Sequence, residues 1–565
     1  MKVIIVGGVA GGASAAARLR RLDEDMEIIM IDKTGYISYA NCGLPYYIGG
    51  VITDHDELTL QTPESFKARF NVDVRVNQEV LSINKDQKTI RISKRENGKI
   101  YEENYDALIL ALGARALRPE MPGIEDERIM TLKTIEDTDR IHAYIENNHP
   151  QKAVVIGGGF IGLEMAENLM HRGIDTTLVE AAPQVMINMD LDMMSEMHRY
   201  LESQGLHLVL NAQVSGFKSD KNLSVMTANK GDFEADLVIL AMGVRPETKL
   251  AKEAGLKRGL KEAIVVDDQM RTSAPDIYAV GDAVEITRFG SEDPALVSLA
   301  GPANKQGRLV ADVIKGRDVH YHGAQATSVI KLFDKTVAST GFNENQLKAM
   351  QAPYDKVLLF AAQHASYYPG ATNMNLKVLF NKENGELYGA QATGGAGVDK
   401  RIDIFATAIR GHMNAYDLLD LDLAYAPPFG SAKDPVNMAA YVITNLLEGT
   451  IKQFHWHDVP DLLNRDDLVL LDVRTKREYE AGHFLGAVNI PVDELRERLD
   501  ELPQDKPLYV NCFSGLRSYV ACRMLMNHGL TCYNLSGGYH FASFNLTEKE
   551  YHDVTTYTCG QERLK

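Results

Sequence analysis

Short apolar runs recur along the chain, and several of them end at a glycine turn or an acidic residue. Residues 2–6 and 27–31 are such runs, and an alanine-rich stretch with helical spacing separates them over residues 13–22. A buried strand, a glycine turn and a helix in this order are typical of sheets with parallel strands. The same order returns from residue 153, so the hydrophobic pattern predicts an α/β protein built from repeated units.

The first glycine turn has the composition of a pyrophosphate site. Backbone N–H groups in such a turn and the N-terminus of the following helix both attract an anion. Asp32, at the end of the second run, is placed to accept a hydrogen bond from a ribose hydroxyl. Val9 stands where a second glycine is usual. The residues predicted to bind this cofactor are Gly7, Gly8, Val9, Ala10, Gly11, Gly12 and Asp32.

A second and complete GxGxxG turn follows the apolar run at residues 153–156. Its predicted cofactor-binding residues are Gly157, Gly159, Phe160, Ile161 and Gly162, and Glu180 closes the next strand. Two such units imply two dinucleotides, and a flavin with a nicotinamide is the economical pair. Glu180 would accept from a free 2′-hydroxyl and repel a 2′-phosphate, which favours NADH and leaves NADPH as the second choice.

Cys42 is the only cysteine in the first 511 residues and lies about ten residues beyond Asp32. A redox role would need a substrate, a small thiol or an oxidised form of the same residue as its partner, because no second cysteine is near in sequence. The alternative is a buried cysteine that serves as a small hydrophobe.

The sequence after residue 450 carries a different motif. An apolar run at 508–511 opens into a six-residue loop from Cys512 to Arg517, followed by a helical stretch. Consecutive backbone N–H groups at a helix N-terminus form an anion nest, and Arg517 would add positive charge, so we expect a thiolate or persulfide there. Cys522 and Cys532 are interpreted as core or strand positions, residues 455–457 as a strand, and Cys559 as a free thiol. No spacing predicts a metal site.

Composition narrows the class of protein. A chain of 565 residues requires several domains, and a net charge of −17 argues against nucleic acid as a partner. Five cysteines without a paired framework indicate a reducing compartment. The apolar runs are far shorter than the roughly 20 residues of a membrane span, and the first strand leaves no room for a signal peptide, so a cytoplasmic protein is expected.

Residues 272–282 end in Gly281 and Asp282 and resemble the second flavin motif of two-dinucleotide-domain flavoproteins, in which the aspartate holds the ribityl chain. Ala111 and Gly113 in one apolar run and Gly243 in another resemble that family's passages into and out of the nicotinamide domain. The resemblance implies an FAD domain at 1–112 and 245–325, an NAD(P) domain at 113–244 and an α+β dimerisation domain at 326–447. A linker at 448–455, an α/β rhodanese domain at 456–553 and a tail at 554–565 complete the predicted organisation.

The stretch around Cys42 resembles the single-cysteine branch of the flavin disulfide reductases. With Tyr367-Tyr368-Pro369, Tyr425-Ala426-Pro427-Pro428 and Lys433-Asp434 it is most similar to the coenzyme A disulfide reductases, and with the rhodanese motif to fused coenzyme A persulfide or polysulfide reductases. The resemblance implies a homodimer with shared active sites, a Cys42–coenzyme A mixed disulfide, and Tyr367 and Tyr425 of the partner chain as acids. It also implies coenzyme A contacts at Ser14, Arg18, Arg21, Ser38, Asn41 and Lys433.

The resulting expectation is an NAD(P)H-dependent flavoenzyme that reduces coenzyme A persulfide, polysulfide or disulfide, with Cys512 and Arg517 relaying sulfane sulfur between small thiols. A helix N-terminus is expected to favour the Cys42 thiolate. The alternative is an NADH oxidase or peroxidase with a sulfurtransferase tail. That class carries a histidine where this chain has Ala10, which weakens the alternative. A sulfurtransferase with a vestigial flavin part and a redox sensor are further alternatives, and the sequence leaves the preferred sulfur acceptor open.

Overall fold

A computed structural model describes residues 1–219 and 222–547 and the backbone of the strand Tyr551–Asp553. The chain divides into two compact units. The first contains residues 1–183 and 206–326, and the second contains residues 184–205 and 327–565. Cys559 and the predicted tail at 554–565 lie outside the described residues. No helix of the described part has the length and apolar character needed to cross a bilayer.

The first sheet of the first unit is parallel and takes strands from both ends of the unit's sequence. Alternate residues of its first strand enter different cores, since Ile4 packs in one apolar cluster and Ile5 in another, and both are fully buried. This two-sided burial explains the uninterrupted apolar runs. The strand order is Ile277–Ala279, Ala107–Leu110, Lys2–Val6, Glu27–Ile31 and Asp73–Arg75.

Helices and small antiparallel sheets surround this sheet. The helix after the first glycine turn runs over Ala10–Leu22, three residues longer than predicted, and packs against Ala300–Ile314. Within residues 272–282 the strand covers Ile277–Ala279, and the 3₁₀ turn Gly281–Ala283 follows it. An antiparallel sheet joins Gln78–Asn84, Thr89–Lys94 and Ile100–Asn104, and the helices Leu44–Ile48, Pro63–Phe70 and Lys249–Glu253 complete this region.

A second parallel sheet repeats the plan around the GxGxxG turn. Its strands, in spatial order, are Ile129–Thr131, Leu237–Leu240, Lys152–Ile156, Asp175–Val179 and His207–Val209. The helices Ile135–Asn148 and Phe160–His171 accompany it, and an antiparallel sheet joins Val214–Ser219, Leu223–Thr227 and Asp232–Ala235. The strands Ala114–Ala116 and Val244–Pro246 pair antiparallel at the two passages between the sheets.

The second unit begins with an antiparallel sheet, ordered Ser328–Leu332, Lys335–Gly341, Leu387–Gly394, Asn373–Asn381 and Tyr354–Ala362. Its helices are Glu344–Ala349, Val398–Arg410, Ala415–Leu419 and Pro435–Leu447. The helix Leu191–Ser203 also belongs to this unit, although its sequence falls within the predicted nicotinamide domain.

The carboxy-terminal sheet of the second unit is parallel, ordered Gln453–Phe454, Cys532–Leu535, Leu508–Asn511, Val469–Asp472 and Val488–Asn489. Its helices include Val459–Leu462, Lys476–Ala481, Leu516–Asn527 and Gly538–Asn545. The strand predicted at 455–457 is wrong. The chain turns there into the 3₁₀ helix Trp456–Asp458, because the Asp458 carboxylate accepts the backbone N–H of His455 at 2.8 Å and caps the turn.

Candidate active sites

The first glycine turn opens onto a cavity of about 610 Å³, called here the amino-terminal cavity. Gly7 has a φ of +106°, and a Cβ there would lie 2.1 Å from the Ala111 carbonyl oxygen, so only glycine fits this turn. The cavity is therefore lined by bare backbone next to a helix N-terminus. Nine of the predicted residues line it: Gly7, Val9, Ala10, Gly11, Asp32, Asn41, Ala111, Gly113 and Asp282.

Asp32 ties the glycine turn to the end of the second strand. Its carboxylate accepts the backbone N–H of Gly8 at 2.8 Å and the backbone N–H of Thr34 at 2.9 Å. Burial raises the pKa of Asp32, against the opposing effect of these hydrogen bonds. The Gly8 N–H thus keeps the Asp32 carboxylate next to the turn. Gly12 is buried in the helix that follows the turn.

The second glycine turn reproduces this geometry. Gly157 has a φ of +111°, and a Cβ there would lie 2.3 Å from the Ala241 carbonyl oxygen. Glu180 accepts the backbone N–H of Gly158 at 2.6 Å, as Asp32 accepts that of Gly8. Gly159 precedes the helix Phe160–His171, which contains Phe160, Ile161 and Gly162, and Gly243 occupies a left-handed turn with φ +99°. The structure therefore places both acidic residues as the spacing predicted.

Cys42 is exposed, which excludes a role as a buried hydrophobe. It lies in the 3₁₀ turn Asn41–Gly43, and its neighbour Asn41 lines the amino-terminal cavity. The Asn41 Oδ1 atom is buried and accepts no hydrogen bond from the described residues. An exposed thiol beside a cavity with an unused acceptor is the arrangement of a reactive site.

The expectation of a stabilised Cys42 thiolate is wrong. Desolvation and, next, the Glu164 carboxylate raise the pKa of the Cys42 thiol, and Lys133 only partly opposes them. The helix that follows, Leu44–Ile48, has five residues, so few aligned peptide dipoles are available to counter these effects.

Lys133 and Glu164 are two site residues that sequence reasoning missed. The Lys133 ammonium lies 3.5 Å from the Asp282 carboxylate, and both side chains line the amino-terminal cavity. Glu164 accepts a hydrogen bond from the Tyr46 hydroxyl at 3.4 Å, and desolvation raises the pKa of Glu164 to about 7. The position of Glu164 between Leu163 and Met165, in an apolar helical stretch, could have indicated a buried carboxylate. Nothing in the sequence around Lys133 indicated a site residue.

The predicted coenzyme A contacts on the first helix are partly occupied within the chain. Arg18 donates from Nη2 to Asp312 at 2.7 Å, so its charge is compensated, and Ser14 donates to the Asn304 side chain at 2.7 Å. Arg21 is exposed. Ser38 is half-buried, with a left-handed φ of +44°. The Arg18 guanidinium is therefore paired within the chain, whereas that of Arg21 is exposed.

The two aromatic clusters of the second unit meet. The Tyr367 and Tyr425 hydroxyls lie 3.1 Å apart although the residues are 58 positions apart in sequence. Their side chains are 74% and 48% exposed. The hydrogen bond to Tyr425 raises the pKa of Tyr367, which keeps that phenol protonated.

The Cys512–Arg517 loop, called here the sulfur loop, holds a fully buried thiol. The backbone N–H of Gly515 lies 3.1 Å from Cys512 Sγ, and the Ser518 hydroxyl lies 3.3 Å from it. Arg517 donates to both Glu478 oxygens at 2.8 and 2.6 Å. Against the effect of burial, this pairing lowers the pKa of Glu478 to about 2. The Arg517 guanidinium therefore binds Glu478. The groups that contact the Cys512 sulfur are the Gly515 N–H and the Ser518 hydroxyl.

A second cavity of about 440 Å³, called here the carboxy-terminal cavity, lies entirely within the second unit. The strand Tyr354–Ala362 and the helix Pro435–Leu447 supply two of its walls. Lys433 and three residues of the sulfur loop, Ser514, Gly515 and Leu516, also line it. The predicted coenzyme A contact at Lys433 and the sulfur loop thus share one cavity.

Three buried carboxylates, Asp190, Asp192 and Glu344, converge closely enough to bind a cation. The Lys377 ammonium already stands among them, 2.9 Å from Asp190 and 2.8 Å from Asp192, and it also contacts Glu344. Lys377 is fully buried, and Lys356 adds a second ammonium at 2.8 Å from Glu344. The cluster is therefore an internal ion-pair network.

Two dinucleotide turns, an exposed lone thiol and a separate sulfur loop define a flavin-type reductase with an attached sulfurtransferase module. Residues 1–307 match the family model of the pyridine nucleotide-disulphide oxidoreductases, residues 327–435 match the dimerisation domain of that family, and residues 456–540 match the rhodanese-like domain. The chain therefore belongs to the pyridine nucleotide-disulphide oxidoreductase family. Membership implies FAD and a nicotinamide dinucleotide as cofactors, and the dimerisation domain indicates a homodimer.

Named relatives match most or nearly all of the chain. The chain is 36% identical over 446 residues to a coenzyme A disulfide reductase of Staphylococcus haemolyticus, which covers 79% of this chain and 100% of the relative. It is similar to the structure of reduced CoADR-RHD from Bacillus anthracis, with 48% identity, a TM-score of 0.95 and coverage of 98% and 99% of the two chains. A NAD-dependent persulfide reductase from A. fulgidus gives 38% identity, a TM-score of 0.89 and coverage of 96% and 100%.

Proposed function

We propose that the protein is a flavin-dependent NAD(P)H reductase of coenzyme A persulfide, polysulfide and disulfide, with a rhodanese domain that relays sulfane sulfur. The observation that carries this proposal is the exposed Cys42 thiol, whose neighbour Asn41 lines the cavity of the first glycine turn. Such a thiol is accessible to a foreign sulfur–sulfur bond.

The proposed domains follow the two units and the sheets within them. The FAD domain comprises 1–112 and 245–325, because the first sheet contains strands from both segments. The NAD(P) domain comprises 113–244, from which the helix Leu191–Ser203 departs to the second unit. The dimerisation domain covers 326–447, the linker 448–455 and the rhodanese domain 456–553. Within the linker, the strand Gln453–Phe454 pairs with Cys532–Leu535 and therefore belongs to the rhodanese sheet.

The amino-terminal cavity fits FAD. A Cβ at Gly7 would not fit in the glycine turn, so the backbone there stays bare. Asp32 lies at the end of the adjacent strand, where it can accept a hydrogen bond from a ribose hydroxyl. Bound FAD would accept a hydride from the nicotinamide and supply the two electrons that cleave a disulfide. Asp282 would hold the ribityl chain, and the Gly157 turn with Glu180 would hold the nicotinamide dinucleotide, with NADH preferred.

Cys42 performs the first step on sulfur. Its thiolate attacks the coenzyme A-bound sulfur of a persulfide, a Cys42–coenzyme A disulfide forms, and hydrosulfide leaves. Ser14, Arg18, Arg21, Ser38, Asn41 and Lys433 are the proposed coenzyme A contacts. Since Asp312 neutralises Arg18, the exposed Arg21 carries more of the attraction for the phosphates than Arg18 does.

Tyr367 and Tyr425 supply the proton for the departing thiolate. Their hydroxyls are hydrogen-bonded to each other and exposed, so either phenol can donate while the other stabilises the phenolate that remains. We assign them to the active site of the partner chain in a homodimer.

Cys512 carries sulfane sulfur between small thiols such as coenzyme A. The Gly515 N–H and the Ser518 hydroxyl stabilise the sulfur anion, and Arg517 keeps the loop in place through Glu478. Lys433 on the same cavity wall supports delivery to coenzyme A. Covalent attachment of the two domains raises the effective concentration of the transferred sulfur.

An anaerobic assay tests the proposal. Purified enzyme with NADH and coenzyme A persulfide should release one hydrosulfide for each NADH oxidised, and denaturation should release FAD together with coenzyme A. NADH oxidation that requires oxygen or peroxide and yields no hydrosulfide would establish the oxidase or peroxidase alternative instead.

A further inference from the structure

Asn534 lies where the sulfur loop meets the carboxy-terminal cavity. It belongs to the strand Cys532–Leu535 and lines that cavity. Its Nδ2 donates to the Gly515 carbonyl oxygen at 3.3 Å, and the N–H of Gly515 in turn donates to Cys512 Sγ at 3.1 Å. Two hydrogen bonds through Gly515 thus connect Asn534 to the Cys512 sulfur.

The oxygen of the Asn534 carboxamide has no hydrogen-bond partner among the described residues. Asn534 Oδ1 is buried and accepts no hydrogen bond within residues 1–219 and 222–547. A buried acceptor without a donor is costly, and a ligand that brings an N–H group removes that cost. A second amide that lines the cavity, Asn445, differs in this respect, because its Oδ1 accepts a hydrogen bond from the Thr450 hydroxyl at 3.1 Å.

The shape of the cavity restricts what can bring the N–H group. Its volume of about 440 Å³ lies in the range of small-molecule sites. Much of its lining is apolar, including Leu358, Phe360, Val442, Leu446 and Leu516. Such a lining suits an extended uncharged arm, and a small inorganic anion would contact little of it.

We propose that Asn534 is a specificity-determining residue of the Cys512 site, whose carboxamide oxygen accepts a hydrogen bond from the amide N–H of a thiol acceptor. This inference rests on the proposed relay of sulfur from Cys512 to small thiols, and it names the chemical class of acceptor: a thiol carried on an arm with a secondary amide near the sulfur.

The transfer step that Asn534 would direct is balanced without a further reactant. The acceptor thiolate attacks the outer sulfur of the Cys512 persulfide. A new S–S bond forms between the acceptor sulfur and the outer sulfur, the bond from Cys512 Sγ to the outer sulfur breaks, and Cys512 leaves as a thiolate. The Gly515 N–H and the Ser518 hydroxyl are already placed to receive that thiolate.

Two thiols that differ at one atom test the proposal: N-acetylcysteamine, with an amide N–H, and 2-mercaptoethyl acetate, with an ester oxygen in its place. With thiosulfate as the sulfur donor, wild-type protein should use the amide at least about tenfold better in kcat/KM. Asn534→Leu should bring the ratio of the two to about one, even where overall sulfur transfer falls because the hydrogen bond to Gly515 is lost. Asn445→Leu, in the same cavity, should leave the ratio unchanged.

Asn534→Asp keeps an acceptor oxygen and loses the donor to Gly515, so it should preserve the amide preference even where overall turnover falls. A wild-type ratio near one overturns the proposal. So does an Asn534→Leu variant that loses the amide, ester and cyanide reactions by one common factor, since Asn534 would then act only through Gly515. The assay needs no NADH, so these outcomes are independent of whether Cys42 reduces coenzyme A persulfide.

Discussion

The two reactive thiols of this chain lie in opposite environments. Cys42 is exposed on a short turn, and its pKa is raised by desolvation and by Glu164. Cys512 is fully buried, with two donors within 3.3 Å of its sulfur. A thiol that must meet a large foreign disulfide needs access, whereas a thiol that stores a sulfur atom needs protection from water and fixed donors for the charge. In the proposed function, the same functional group therefore supports reduction in one unit and sulfur transfer in the other.

The strongest test of this division is the loss of Cys42. Cys42→Ser should reduce NADH-dependent reduction of coenzyme A persulfide by at least about 10³-fold, because the hydroxyl cannot form the mixed disulfide. FAD content and thiosulfate-to-cyanide transfer should stay within about twofold of wild type. Retained NADH turnover would remove Cys42 from the reaction.

Loss of the Cys512 thiol should affect sulfur transfer and not the reductase reaction. Cys512→Ser should eliminate thiosulfate-to-cyanide transfer and leave NADH-dependent reduction of coenzyme A disulfide within about twofold. Steady-state assays of both reactions on one preparation provide the check. A parallel fall of both activities would contradict the separation of the two thiols. Cys522→Ser, a buried cysteine in the same core, serves as the matched control for packing.

The hydrogen-bonded tyrosines should affect only the reductase. Tyr425→Phe should lower kcat for coenzyme A disulfide reduction by about 10²-fold, in line with the loss of a general acid, and should leave sulfur transfer by Cys512 unchanged. Tyr416, which is similarly exposed but lies in the helix Ala415–Leu419, offers the control Tyr416→Phe. Equal effects of the two variants would argue against a proton transfer role for Tyr425.

Much of the fold and some of the site could be predicted from the sequence. The glycine turns with Asp32 and Glu180 were predictable because local spacing determines where an acidic side chain meets a turn N–H. The partnership of Arg18 with Asp312 and the presence of Lys133 near Asp282 depend on residues far apart in sequence. The direction of the Cys42 pKa shift was mispredicted because the rule for helix N-termini ignores desolvation and a carboxylate from another helix.

In the proposed function, the nicotinamide turn supplies electrons to Cys42 and not to Cys512, so a change there should leave Cys512 activity unchanged. Glu180→Arg should raise the ratio of kcat/KM for NADPH to that for NADH by about tenfold or more, since a guanidinium can pair with the 2′-phosphate that a carboxylate repels. Sulfur transfer by Cys512 serves as the internal control. An unchanged cofactor ratio would exclude Glu180 from ribose recognition.

The smallest expected effect concerns the ionisation of Cys42. Glu164 has a pKa of about 7, so its carboxylate is charged above that pH and opposes ionisation of the nearby thiol. Glu164→Gln removes this opposition and should lower the Cys42 pKa, which moves the rising limb of the pH profile for Cys42 alkylation by iodoacetamide to lower pH. The groups that act on Cys42 are Glu164, Lys133 and Asp282, and Lys133→Met should move the limb the other way. Because Glu164 is protonated below its own pKa, the alkylation rates of wild type and Glu164→Gln should converge at pH 6 and diverge toward pH 8. Identical profiles over that range would mean that Glu164 does not contribute to the Cys42 pKa.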